Sequence, residues 1–150
     1  MSLVRCFFPL ILLAATLSCH SLSIPKRINV AFGIDIRDIE YSIIEEDEYW
    51  IPFNGNGHWY ICLSLNSLSF SDEELIQKQM IGKGGIPLPS NETYTVLPDQ
   101  NLKPYFKPYS DTYKYRGMYI LNHTSSDPHD FELFIFDVTN KRIIVFLSNM

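Results

Sequence analysis

The sequence predicts one mainly β domain, built as a single antiparallel β-sandwich or a strongly twisted sheet of about six to eight strands with one short helix. Three observations carry that expectation: runs of strictly alternating apolar residues, an Asn-Gly-Asn-Gly turn between two β-prone segments, and a lone capping box ahead of a short apolar stripe.

The first run is Ile28, Val30, Phe32, Ile34 and Ile36, which alternates strictly and predicts a half-buried strand. The pattern slips at Asp38 and resumes as Ile39, Tyr41 and Ile43, as a bulge within a continuing strand would give. Glu45 to Glu48 are four consecutive acids. Because neighbouring strand side chains point to opposite faces, these acids read as a solvated strand edge rather than a calcium cradle. Such charges also oppose edge-to-edge pairing.

Tyr49 to Phe53 and His58 to Leu65 flank Asn54-Gly55-Asn56-Gly57, and Asn-Gly supplies the positive φ angles of tight hairpins. The second strand then alternates Trp59, Ile61, Leu63 and Leu65 with His58, Tyr60, Cys62 and Ser64. His58 and Cys62 share a face, yet four strand residues span ~13 Å, far beyond the ~3 Å reach of a general base. They are not a local catalytic dyad.

Ser71-Asp72-Glu73-Glu74 reads as a capping box with acids in the first turn, predicting a helix over about 72–81 closed by a left-handed Gly82. Its buried stripe is limited to Leu75, Ile76 and Met80 or Ile81, so it covers a sheet. Gly82 to Tyr109 is rich in glycine and proline and predicts a long ordered surface excursion, with Tyr94 to Leu97 as its one strand. Regular strands return over Tyr113 to Leu121, Phe131 to Val138 and Arg142 to Ser148. Thr139-Asn140-Lys141 makes a tight turn between the last two, and the final strand reads as central.

The amino terminus places Arg5 before an uncharged run from Cys6 to Leu17, followed by small residues. The run is too short to span a hydrocarbon core of ~30 Å and reads as a secretory signal, residues 1–21, leaving 22–150 as one secreted domain. Removal of Cys6 and Cys19 leaves Cys62 alone, so the fold stands on its core; cleavage after Ser18 would instead allow a Cys19 to Cys62 bridge. Lys26-Arg27 reads as a charged start to the first strand rather than a processing site. Asn91-Glu92-Thr93 and Asn122-His123-Thr124 are glycosylation sequons, marking Asn91 and Asn122.

A net charge of −5 excludes general nucleic-acid binding, which needs many bases against phosphate. The distribution is lopsided, with ten acids against Arg37 alone between Asp35 and Glu74, and four bases against Asp111 between Lys103 and Arg116. In the basic stretch, Tyr105, Lys107, Tyr109, Tyr113, Lys114, Tyr115 and Arg116 combine broad apolar rings with cationic groups, the composition of a recognition surface. The expected partner is an extracellular protein, a glycan or a small anionic ligand. His123, Asp127, His129 and Asp130 are ligand-rich but match no zinc spacing, and Asp127-Pro128 favours a turn. Neither a metal nor a cofactor is expected.

No nucleophile, base and orienting group stand at interpretable spacing, so the expected function is non-catalytic binding. The alternative is a small secreted hydrolase that gathers His58, His123 or His129 with carboxylates through the fold. A structural extracellular component is the third class, against which the absence of internal repeats counts.

Overall fold

A computed structural model describes residues 22–50, 57–88, 116–123 and 130–148. The chain is mainly β: the described residues form a six-stranded antiparallel sheet and two short helices. In chain order the elements are α1 (Ile24–Phe32), β1 (Tyr41–Trp50), β2 (Gly57–Leu65), α2 (Phe70–Ile81), β3 (Ile86–Pro87), β4 (Gly117–His123), β5 (Phe131–Asp137) and β6 (Arg142–Ser148). The strand order is β1-β2-β6-β5-β4-β3. Thus β6 lies inside the sheet, as its apolar density predicts, and β1 forms one edge.

The segment expected to be the first strand is instead α1. Pro25 sits in its first turn, where the missing amide costs nothing, and Gly33 closes it at φ 67° with its N–H donating to Asn29 O at 2.8 Å. Pro25, Ile28 and Phe32, spaced three and four apart, are buried, whereas Val30 is 71% exposed. Helical spacing therefore overrides the alternation, which Ile34 and Ile36 continue as buried side chains of a connection outside the sheet.

The hairpin of β1 and β2 is present, with Tyr41 opposite Leu65 and Trp50 opposite Gly57. Its first strand is longer than expected and takes in all four acids. The bulge falls at Ile44, between the Ile43–Leu63 and Glu45–Cys62 pairs, rather than at Asp38. The turn residues 51–56 lie outside the described residues, as does the expected strand Tyr94 to Leu97.

Helix α2 begins two residues before the expected capping box. Ser69 is the N-cap: its Oγ accepts from Asp72 N at 3.2 Å, and Asp72 Oδ2 accepts from Ser69 N at 3.1 Å. Gly82 keeps a right-handed conformation (φ −62°), and the left-handed glycine is Gly84 at φ 79°. Ile76 and Met80 enter the core, but Leu75 and Ile81 face solvent.

Both faces of the sheet are buried. Helices α1 and α2 and the Ile34–Ile39 connection cover one face, where Ile28, Phe32, Ile76 and Met80 join Trp59, Ile61, Leu63, Phe134, Phe136, Ile143 and Val145. The other face holds Tyr60, Cys62, Leu133, Ile135, Ile144 and Phe146, with Leu88 packed among them. Each fully buried large aliphatic or aromatic side chain contributes ~1.5–3 kcal/mol, so this core is a main source of stability, and Cys62, the cysteine among the described residues, is free. Gly117 is required where β4 starts: at φ 150° a Cβ would lie 2.0 Å from Phe136 O.

Candidate functional site

Among the described residues, β1 is the long strand at an end of the sheet order. Every residue from Ser42 to Tyr49 is exposed, although the strand runs ten residues and pairs with β2 along its length. The opposite edge, β3, is only two residues long. Ile43 and Ile44 are each 50% exposed and Tyr49 is 55% exposed, so apolar groups flank the acids at both ends.

The pleat divides the acids between the faces, as alternation requires. On the helix-covered face, Glu46 Oε1 accepts from Trp59 Nε1 at 2.9 Å, and Glu48 Oε1 accepts from Arg27 Nη2 at 3.0 Å. Arg27 is held further by Trp59, its Cζ lying 4.0 Å from the ring centroid. This guanidinium belongs to α1 and is largely buried, so Lys26-Arg27 is neither a strand start nor an open processing site. On the opposite face Asp47 Oδ2 lies 3.3 Å from His58 Nε2. The His58 ring stacks between Tyr49, at 5.7 Å, and Phe146, at 5.9 Å.

His58 and Asp47 therefore form a histidine–carboxylate pair, with Ser148 directly across from His58 on β6. Ser148 Oγ is committed elsewhere: it accepts from Phe131 N at 2.6 Å and donates to Phe131 O at 2.9 Å. A nucleophile needs its proton within reach of the base, and this hydroxyl gives its proton to a backbone carbonyl. Cys62, free and buried, shares the His58 face, and burial pushes its thiol up from the ordinary value, which disfavours the reactive thiolate. Cys19 lies outside the described residues.

His123 is exposed at the end of β4, three strands from β2, or ~14 Å at ~4.8 Å per strand. His129 and Asp127 lie outside the described residues, and Asp130 is half-buried. Among the described residues no group of three His, Cys, Asp or Glu side chains is placed to hold a metal.

A cleft of about 280 Å³ between α2 and the connection after α1 is lined by Asp35, Arg37, Asp38, Ile39, Asp72, Leu75 and Gln79. Asp35 is chelated by Arg37: Nε donates to Oδ1 at 2.9 Å, Nη2 to Oδ2 at 2.6 Å, and the Arg37 backbone N–H to Oδ1 at 3.0 Å. These bonds hold the Asp35 carboxyl down at about 2. An acid so far from neutrality is a poor general acid or base, and Asp72 caps α2, so the cleft reads as a helix-docking seam.

Of the predicted recognition stretch, Tyr105, Lys107, Tyr109, Tyr113, Lys114 and Tyr115 lie outside the described residues. Arg116 is described: its exposed side chain donates from Nη2 to Glu73 Oε1 on α2 at 2.7 Å. Asn91 is also outside. Asn122 is exposed on β4 beside Glu132 of β5. Arg27 and Trp59 were missed as partners because their contact depends on α1 folding back onto the sheet, which no local spacing announces.

Comparison with protein-family models, curated proteins and solved structures found no match.

Proposed function

We propose that this chain is a secreted, N-glycosylated, non-catalytic binding module that engages its partner through the β1 edge. One observation carries this reading: eight consecutive exposed residues, Ser42 to Tyr49, on a ten-residue edge strand. Edge strands are ordinarily kept short or covered because their unpaired amides and carbonyls recruit other strands. A long strand with exposed Ile43, Ile44 and Tyr49 suits recognition of another chain.

The signal-like amino terminus and the two sequons support the extracellular placement, and exposure of Asn122 leaves room for a glycan. The tyrosine-rich stretch from Tyr105 to Arg116 is proposed, on composition, as a separate contact for an anionic group. The committed hydroxyl of Ser148 and the raised thiol of Cys62 favour binding over hydrolysis.

Site-specific photo-cross-linking tests this reading. A photoreactive residue at Ile44 or Tyr49 should form adducts in the extracellular fluid of the source tissue, whereas one at Leu75, equally exposed on α2, should not. Equal labelling from all three positions, or none from β1, would remove the β1 edge as the binding surface.

A further inference from the structure

We infer that the outer face of α2 is an interface with a second copy of this chain, the two helices lying antiparallel about a two-fold axis. The surface is independent of β1, because α2 packs against β4, toward the other end of the strand order. Of the apolar residues on α2, Ile76 and Met80 enter the core. Phe70 is 74% exposed, Ile81 66% and Leu75 51%, so one short helix turns three large apolar side chains to solvent.

Spacing and charge select a second copy as the occupant. At ~100° per residue, Phe70 and Ile81 fall on one flank of the exposed face, Leu75 falls on the other, and Glu74 and Lys78 lie between them. A two-fold axis perpendicular to the helix, passing level with its midpoint near Leu75 and Ile76, reverses the helix direction and keeps each flank on its own side. Phe70 of each copy then meets Ile81 of the other, Leu75 meets its own counterpart, and Glu74 meets Lys78 in both directions. One operation makes all three matches. Parallel helices would instead set Glu74 against Glu74 and Lys78 against Lys78, which like-charge repulsion opposes. Glu74 and Lys78 are exposed, and among the described residues neither side chain is engaged in a hydrogen bond or ion pair. A single helix pair buries less than the ~1,200 Å² at which standard interfaces begin, so the dimer is weak, and its exposed ion pairs make it salt-sensitive.

Sedimentation velocity of the purified chain over ~1 μM to ~1 mM should show the monomer giving way to a species of twice the mass. Glu74→Lys alone and Lys78→Glu alone each set like charges across the seam, and each should weaken self-association at least tenfold. Mixed in equal amounts, the two variants bring opposite charges together at both crossings. They should then associate with each other at least tenfold more tightly than either does with itself. Leu75→Asn, which leaves the charges in place, should also weaken the dimer at least tenfold, and native circular dichroism checks the fold of every variant. A chain that stays monomeric over the whole range, single variants that associate like the parent, or a mixture no tighter than its components would overturn the α2 interface. A dimer that survives all three substitutions while β1 amides become protected would assign the contact to β1 instead. Photo-cross-linking from Ile44 and Tyr49 is read far below the concentrations of this weak pairing, so failure of the α2 interface leaves the β1 reading standing. An adduct from Leu75 with a second copy would be recognised by its doubled mass.

Discussion

Arg27 lies over the indole of Trp59, with the guanidinium carbon 4.0 Å from the ring centroid, and so joins α1 to β2. The same guanidinium bonds Glu48, and the indole N–H bonds Glu46, so two of the four β1 acids are fixed to the body of the protein. Arg27→Ala should lower stability by about 1–2 kcal/mol, from the lost cation–π contact and ion pair. Urea unfolding measures this. An unchanged midpoint would show that α1 is not held by the pair.

Two glycines with positive φ should respond differently to alanine. At Gly117 the new methyl would meet Phe136 O at 2.0 Å, so Gly117→Ala should cost about 3 kcal/mol or more and reduce folded yield. At Gly84 nothing lies within 4 Å of the added carbon, and only the backbone preference is lost, about 1 kcal/mol. Thermal melts of the two variants should rank in that order.

Burial of Cys62 sets both its reactivity and its pH signature. Native labelling by a thiol reagent should be slow and should accelerate on denaturation. Because the folded thiol is pushed up, it stays neutral where the unfolded thiol begins to ionise, so its contribution to stability is constant below about pH 9 and falls as pH rises further. Cys62→Ser should remove that alkaline dependence.

Asp35 should titrate in the folded protein at about 2, held down chiefly by the Arg37 side chain. A depressed carboxyl adds stability that is present above its unfolded value of 3.8 and is lost as pH falls from there toward 2. Carboxyl carbon shifts followed by NMR would check this, and Arg37→Gln should bring the titration back up toward the ordinary aspartate range.

The sheet was legible from sequence because its strongest signals are local. Arg142 to Ser148 matches β6, and Asn54-Gly55-Asn56-Gly57 marks the β1–β2 connection. The α1 region misled because Ile28, Val30, Phe32, Ile34 and Ile36 alternate, while the contrary signals were a proline at position 25 and a glycine at position 33. These bracket one short helix, and greater weight on them would have found it. The acids of β1 were legible as a solvated edge. Their bonds to Trp59, His58 and Arg27 were not, since those partners are eleven to twenty-one residues away and meet only once the sheet forms.

The most direct measurement is amide hydrogen exchange along Glu45–Tyr49 in the protein alone. In an antiparallel pair alternate residues turn their amides toward the neighbour, so an edge strand has one protected set and one open set. The account predicts alternating slow and fast amides along β1 in the free protein. Uniform protection in the free protein would contradict it, because the β1 edge would already be covered.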